Sequence, residues 1–220
     1  YQIDDYKAVA TSGLREAENR EYVLEQIRLK TGLNVDIINN AEERYFTFKA
    51  VREVMSGYSR MKDEGLLIID IGSGGVEISI YKDGKLRLTE YSRVGSLRLS
   101  EVLADLESTT LYFPRIMEEF IDSKVHLLKP VIKAANIVNF IGLGGELKQI
   151  LKIIEVEEKS EVKYINRSIL DRLYSRIKNM TTEQIIEEYN LKQDEARLLL
   201  PSVIIFNYFL KQTGSSGIHA

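Results

Sequence analysis

The chain has 220 residues, of which 44% are hydrophobic and 29% are charged; this balance is typical of a globular protein with one large domain or two small ones. The net charge of −3 predicts neither a nucleic-acid partner nor a membrane partner, because both attract basic surfaces. The absence of cysteine excludes disulfides and thiolate chemistry. No apolar run reaches the ~18 residues of a membrane span and no signal peptide is recognisable, so we predict a cytoplasmic protein.

Two strand-and-helix pairs open the predicted fold. KAVAT (Lys7–Thr11) predicts a short strand, and the apolar spacing over Leu14–Thr31 predicts a helix. NVDII (Asn34–Ile38) predicts a second strand, and a helix follows over Ala41–Val54. The polar segment Gly57–Gly65 is the best candidate for a domain boundary.

The segment LLIIDIGSGGVEISI (Leu66–Ile80) is the most informative part of the chain. An apolar run ends at Asp70, a glycine-rich turn follows, and an apolar alternation resumes, which predicts two strands and then a hairpin turn at Lys82-Asp83-Gly84-Lys85. Glycines let the backbone approach an anion and point N–H groups at it, and an Asp beside such a turn can hold Mg²⁺ near phosphate oxygens. A hairpin whose glycines serve only the turn is the alternative. The turn comprises Gly72, Ser73, Gly74 and Gly75.

A second glycine turn lies later in the chain, between a predicted strand and a predicted helix. Such a turn offers an anion both backbone N–H groups and a helix N-terminus, although glycine there also suits close packing. The remaining predicted elements are a strand over Arg87–Val94, helices after Gly95 and over Leu111–Leu128, a strand over Asn136–Gly142, the turn Gly142-Leu143-Gly144-Gly145, a helix from Glu146 and mainly helical structure over Arg167–Lys211. This order predicts an α/β protein with a mixed sheet.

Three charged residues near the start of the chain are candidates for chemistry. Glu42 and Glu43 stand at the predicted start of a helix, where a carboxylate can orient water or accept its proton. Glu in a first helical turn also stabilises the helix without any chemistry. Arg15 follows a strand and can bind phosphate or lie on a solvated helix face. The two histidines, His126 and His219, are far apart and indicate neither a metal cluster nor a triad.

Six segments, in this order, resemble the exopolyphosphatase and guanosine pentaphosphate phosphatase family of the actin-like (ribonuclease H-like) fold. Each motif alone is weak evidence for the family, but six motifs in the same order are specific evidence for it. They are VATSGLREAEN (Val9–Asn19), TGLNVDIINNAEERYFTFKAV (Thr31–Val51), LLIIDIGSGGVEI (Leu66–Ile78), VGSLRLSE (Val94–Glu101), FIGLGGELKQI (Phe140–Ile150) and EARLLLPSVIIFNYFL (Glu195–Leu210).

The resemblance implies roles for residues at matching positions. Glu43 matches a catalytic glutamate that activates water, and Asp70 and Glu77 match residues that hold Mg²⁺. The phosphate-binding matches are Arg15, Gly72, Ser73, Gly74, Gly75, Gly144 and Gly145. The implied reaction is the removal of a terminal phosphate from inorganic polyphosphate or guanosine pentaphosphate by metal-assisted attack of water.

The resemblance also implies a molecule of two lobes, with residues 1–63 forming the remainder of an incomplete first lobe and residues 64–220 the second. The last helix either stays with the second lobe or packs back on the first. Whether two copies of the chain form a homodimer is left open. The family turn GGGST reads GSGGV here, so hydroxyls are missing at Gly75 and Val76. A non-catalytic binding protein for polyphosphate or (p)ppGpp therefore stays open. A kinase of the actin-like fold also stays open, because such kinases use similar turns.

Overall fold

The computed structural model describes residues 5–107, 110, 112–158 and 163–220, without the side chains of residues 107 and 156–158. The chain forms two compact units, Tyr1–Ser56 and Gly57–Ala220. This division lies at the start of the predicted boundary segment, and the assignment of residues 1–63 and 64–220 to two lobes stays a prediction. None of the helices in the described ranges combines the length and apolarity needed to cross a membrane.

The first unit is a small α/β unit with two parallel strands. Its elements are β1 (Ala8–Ala10), α1 (Ser12–Arg15), α2 (Arg20–Thr31), β2 (Val35–Ile37) and α3 (Asn40–Val54). The helix predicted over Leu14–Thr31 is divided in two, because the chain turns after Arg15 and enters α2 at Asn19. The left-handed Gly32 ends α2, with a φ of 75°.

The second unit contains a six-stranded mixed sheet with the order β5-β4-β3-β6-β8-β7. Its strands are β3 (Leu66–Ile71), β4 (Val76–Lys82), β5 (Lys85–Ser92), β6 (Asn139–Gly144), β7 (Tyr164–Asn166) and β8 (Gly217–His219). The β3–β6 and β6–β8 pairs are parallel, and the β3–β4, β4–β5 and β7–β8 pairs are antiparallel. The predicted mixed sheet is therefore confirmed, but β7 was not predicted.

Helices flank this sheet and supply most of the remaining core. They are α4 (Tyr58–Glu64), α5 (Ser96–Val102), α6 (Ala104–Glu107), α7 (Phe113–Val125), α8 (Lys129–Ala134), α9 (Gly145–Glu158), α10 (Arg167–Ile177), α11 (Thr182–Tyr189) and α12 (Gln193–Lys211), with a 3₁₀ turn at His126–Leu128. The predicted helix Leu111–Leu128 corresponds to α7 and this turn, and residue 111 lies outside the described residues. Helix α12 packs against α5, α7, α9, α10 and α11.

The hairpin between β4 and β5 has the turn that its sequence predicts. Asp83 and Gly84 both have left-handed backbones, with φ of 53° and 72°. Two successive left-handed residues are the signature of the type I′ turn that joins twisted strands. The turn also lies against α4, since the Gly84 N–H donates to the Lys62 carbonyl at 3.3 Å. The boundary segment thus contains a helix that is tied to the second unit.

Candidate active site

The predicted metal ligands and the first glycine turn lie where β3 ends and β4 begins. Asp70 and Glu77 are directly opposite each other in the antiparallel β3–β4 ladder, so their side chains emerge on the same face of the sheet. The Glu77 Oε1 accepts a hydrogen bond from the Thr89 hydroxyl at 2.8 Å. This bond holds the Glu77 carboxylate beside the turn.

The glycine turn between these strands is closed by its own backbone. The Gly72 N–H donates to the Gly75 carbonyl at 2.9 Å, so this N–H is not directed at an anion. Gly72 and Ser73 are exposed, whereas Gly75 is buried. The exposed part of the turn is therefore its first half.

Helix α5 and the residue before it pack against the first glycine turn. The Arg98 N–H and Nε donate to the carbonyls of Ser73 and Gly74, each at 3.1 Å. A Cβ on Gly95, the residue before α5, would lie 2.4 Å from the Gly72 carbonyl oxygen and 2.3 Å from the Gly75 nitrogen, closer than real atoms approach. These contacts orient the turn carbonyls toward α5.

The second glycine turn lies against the end of β3. In the parallel β3–β6 ladder Ile71 pairs with Gly144, and a Cβ on Gly144 would lie 2.3 Å from the Ile71 carbonyl oxygen. Gly144 also has a φ of 122°, which L side chains rarely adopt. Both glycine turns therefore meet at the carboxyl edge of β3 and β6, the edge where open α/β sheets bind ligands.

Gly145 begins α9 at this edge, and a Cβ on it would meet no atom within 4 Å. The next residue, Glu146, accepts a hydrogen bond from the Ser96 hydroxyl of α5 at 2.6 Å. The start of α5 thus contacts the first glycine turn, through Gly95 and Arg98, and the residue that follows the second turn, through Ser96.

A cavity of about 270 Å³ opens beside the second turn; Gly145, Glu146, Gln149, Asp194, Glu195, Leu198 and Leu199 line it. The Lys192 backbone N–H and the Gln149 amide lower the pKa of the Glu195 carboxyl, which keeps it ionised. Three of these lining residues, Glu146, Asp194 and Glu195, are carboxylates, and like charge disfavours an anion such as phosphate in this cavity.

The first unit contains the other two predicted residues. Arg15 Nη1 donates to Glu43 Oε2 at 3.2 Å and to the Ile38 carbonyl at 2.8 Å. The Glu43 side chain is 40% exposed and the Arg15 side chain 20%. The structure therefore brings Arg15 and Glu43 together.

Glu42 and Glu43 have different roles at the start of α3. The Asn39 side chain accepts from the backbone N–H of Ala41 and Glu42, and Glu42 Oε2 accepts from the Asn39 N–H at 3.0 Å. This reciprocal arrangement is a capping box. Stabilisation of the helix start, the alternative to a chemical role, thus applies to Glu42, whereas the Glu43 carboxylate faces Arg15.

Sequence reasoning assigned no role to Gly95, Ser96, Arg98 or Thr89. The first three lie in VGSLRLSE, whose resemblance to the family was visible but whose contacts depend on how α5 packs. Thr89 gave no signal, because its contact with Glu77 depends on the β4–β5 register. Within the described residues, no three His, Cys, Asp or Glu side chains form a metal-binding group.

Sequence comparisons relate the chain to known proteins. A sequence model described as the Ppx/GppA phosphatase family matches residues 1–216. Exopolyphosphatase 1 of Mycobacterium bovis is 36% identical over 93 residues, which are 42% of this chain and 26% of that protein. A bifunctional 3-dehydroquinate synthase/phosphatase of Fusobacterium nucleatum is 26% identical over 103 residues, 46% of this chain and 15% of that protein. The matches thus span about a quarter or less of these curated relatives.

Solved structures share the fold. An exopolyphosphatase from Cytophaga hutchinsonii superposes with a TM-score of 0.80 at 18% identity, covering 96% of this chain and 69% of that one. A Ppx/GppA member from Aquifex aeolicus gives a TM-score of 0.70 at 24% identity, covering 97% of this chain and 69% of that one. The predicted actin-like α/β fold, with its mixed sheet and flanking helices, is confirmed.

Proposed function

The chain belongs to the Ppx/GppA phosphatase family, and on this premise we propose that it is a phosphohydrolase. Its substrate is inorganic polyphosphate or guanosine pentaphosphate, from which it removes the terminal phosphate. Two relatives with the name exopolyphosphatase support the first substrate. The observation that carries the proposal is the meeting of two opposed carboxylates and two glycine turns at one sheet edge.

The paired carboxylates of Asp70 and Glu77 fit Mg²⁺. Proteins hold this ion through one or two carboxylates, with waters and substrate phosphates completing its shell. When bound, the ion neutralises charge on the phosphate oxygens. The hydrogen bond from Thr89 to Glu77 supports this assignment, because an outer partner fixes the orientation of a ligating carboxylate.

The chain's own residues supply the rest of the proposed reaction. Glu43 accepts a proton as the oxygen of water attacks the terminal phosphorus. The bond from that phosphorus to its bridging oxygen breaks, and the shortened chain or nucleotide leaves with the bridging oxygen. Backbone N–H groups of the glycine turns stabilise the charge on the phosphoryl oxygens. The cytoplasmic location and the homodimer stay predictions.

The altered turn favours a second candidate, a protein that binds these substrates without hydrolysing them. Positions 75 and 76 carry no hydroxyl, and Val76 is fully buried at the start of β4. Two donors to phosphate that the family turn offers are therefore absent, and a slower or lost reaction follows if no other group replaces them.

Phosphate release from polyphosphate and from guanosine pentaphosphate, measured in the full-length protein with Mg²⁺ or with EDTA, tests both candidates. We expect Mg²⁺-dependent release, and we expect Glu43→Gln to lower kcat by about 10²–10⁴-fold, as loss of a general base does.

Glu42→Gln is the matched control, because Gln also completes a capping box; its kcat should stay within about threefold of the unsubstituted protein, well below that loss. Equal effects of the two substitutions would contradict the role of Glu43. Substrate binding without release, in the unsubstituted protein, would support the binding candidate.

A further inference from the structure

We propose that Arg15 is a positioning residue, which holds the Glu43 carboxylate for the attacking water instead of contacting phosphate. The inference rests on the proposed function, because it needs Glu43 as the group that accepts the proton of water. It differs from the role that the sequence resemblance implies for Arg15, which is a direct contact with phosphate.

A single nitrogen of Arg15 makes both observed bonds. Nη1 donates to the Ile38 carbonyl at 2.8 Å and to Glu43 Oε2 at 3.2 Å. Ile38 is 95% buried, with 5% exposure, and it directly precedes the residue that caps α3. Its carbonyl therefore gives the guanidinium a rigid anchor at the point where the chain leaves β2.

The anchor determines where Glu43 points. Glu43 lies in the first turn of α3, where its backbone N–H donates to the Asn39 carbonyl at 3.0 Å. The backbone is thus fixed, but a partly exposed Glu side chain keeps several rotamers unless a partner selects one. Arg15 selects the rotamer in which Oε2 faces the guanidinium, and we assign Oε1 to the attacking water.

The bonds that Arg15 makes in this structure join it to protein oxygens. An arginine that binds phosphate usually presents two N–H groups in parallel, whereas Arg15 directs one nitrogen at a carbonyl and a carboxylate. A single cationic nitrogen is also what lysine offers. We therefore expect Arg15→Lys to retain the function, which a bidentate phosphate contact would not allow.

Four variants of the full-length protein test the proposal by phosphate release: Arg15→Gln, Arg15→Lys, Glu43→Gln and the double variant Arg15→Gln/Glu43→Gln. We expect Arg15→Gln to lower kcat by about 10–100-fold, since misplacing a reacting group by 1 Å can cost 10²-fold. Its KM should stay within about threefold of that of the unsubstituted protein. The interaction that Arg15 supports, between Glu43 and the attacking water, acts in the transition state, and the loss of such an interaction lowers kcat without changing KM. Arg15→Lys should recover most of the lost kcat.

The double variant separates positioning from every other role. If Arg15 acts only through Glu43, then its loss adds nothing once Glu43 is gone, and the double variant matches Glu43→Gln within about twofold. Substrate binding by Glu43→Gln and by the double variant should also be equal, which a general loss of folding would not give. Circular dichroism melting of each variant verifies that the fold is intact.

Three results would overturn the proposal, and they are distinguishable from one another. A large increase in KM for Arg15→Gln with kcat unchanged would assign Arg15 to phosphate. If Glu43→Gln is slow and the double variant loses kcat by the product of the two single losses, then Arg15 acts independently of Glu43. Full turnover by Glu43→Gln, or no turnover by the unsubstituted protein, would remove the proposed function and this role together.

Discussion

Gly75 shows how one residue of the first glycine turn is constrained by its neighbours. A Cβ at this position would lie 2.4 Å from Cζ of Tyr91 and 2.7 Å from the Ser92 carbonyl oxygen. Gly75 does not have a left-handed backbone, so the restriction is steric. The family residue at this position is a serine by resemblance, and in this chain such a side chain would have to displace β5.

We predict that Gly75→Ala destabilises the protein by about 1–3 kcal/mol, the usual cost of forcing atoms into a packed site. Gly72→Ala is the matched control in the same turn. Its Cβ would make one ordinary contact, 3.5 Å from the Gly75 carbonyl oxygen, so its stability should change little. Urea unfolding of both variants measures the difference, and equal midpoints would show that Tyr91 and β5 move aside freely.

At this scale the sequence predicted residue types better than contacts. It placed Asp70 and Glu77 beside a glycine turn, because that pattern depends only on local order. The residue pattern by itself did not separate Glu42 from Glu43, which only the family resemblance did, since adjacent carboxylates look alike until the capping box assigns one of them to Asn39. It also did not find Arg98, whose bonds to the turn depend on long-range packing.

Among the elements, the edge of the sheet formed by β8 and β7 contains the chain's partly buried histidine. His219 lies in β8, where its ring contacts that of Tyr164 in β7 with centroids 4.7 Å apart. Burial lowers the pKa of His219 below its ordinary value. The folded state therefore favours the neutral imidazole more than the unfolded chain does.

The sign of the pH effect follows from this lowered pKa. As pH falls through about 6.5, the ordinary pKa of histidine, the unfolded chain takes up a proton before the folded protein does, and stability falls. We predict that the free energy of unfolding decreases less between pH 7.5 and pH 5 in His219→Gln than in the unsubstituted protein.

Urea titrations at a series of pH values measure this difference. His126→Gln is the control, because His126 is exposed in the 3₁₀ turn. This control shows what the loss of an exposed histidine does while the β7–β8 edge stays intact. If the free energy of unfolding depends on pH in the same way for His219→Gln and for the unsubstituted protein, then burial at the β7–β8 edge does not favour the neutral imidazole.

Elements with a clear period were predicted, and so were the short strands β1 and β2, whereas β7 was not. The β3–β4–β5 hairpins and helix α11 agree with their patterns within a few residues. Strand β7 also has three residues, and Ile165 is the single aliphatic residue among them, so no apolar run marks it. Its position is determined instead by β8 and by Arg167, whose Nη2 donates to the carbonyls of Leu210, Thr213 and Ser215.

For the molecule as a whole, the two units differ in how much core each contains. The main hydrophobic cluster runs from Leu67 to Ile218 and includes none of the residues that the structure describes in the first unit. Among the described residues of the first unit, the buried hydrophobic side chains are those of Ile38 and Val51, while Tyr22, Leu29 and Val54 are well exposed. A unit of this size with so little buried apolar surface is marginal by itself.

We predict that a fragment of residues 57–220 unfolds cooperatively, whereas a fragment of residues 1–56 is largely unfolded. A third fragment, residues 65–220, lacks α4 and with it the buried Tyr58, which contacts Tyr81 with ring centroids 6.4 Å apart. It should be less stable than 57–220 by at least about 1.5–3 kcal/mol, the value of one large buried apolar side chain.

Circular dichroism and urea denaturation of the three fragments measure these stabilities. A fully folded 1–56 fragment would contradict the prediction for the first unit. Equal stability of the fragments 57–220 and 65–220 would instead place α4 outside the structural core.

The strand order of the second unit has a consequence for biosynthesis. Strand β8 lies between β6 and β7, yet it is synthesised after both of them, as is α12, against which five helices pack. Strand β7 therefore leaves the ribosome about fifty residues before its sheet partner exists, and the core cannot close until residue 219 is free. Because such late, non-local pairing slows folding and leaves apolar surface exposed, this unit should complete its folding only once β8 has left the ribosome, and should depend on chaperones until then.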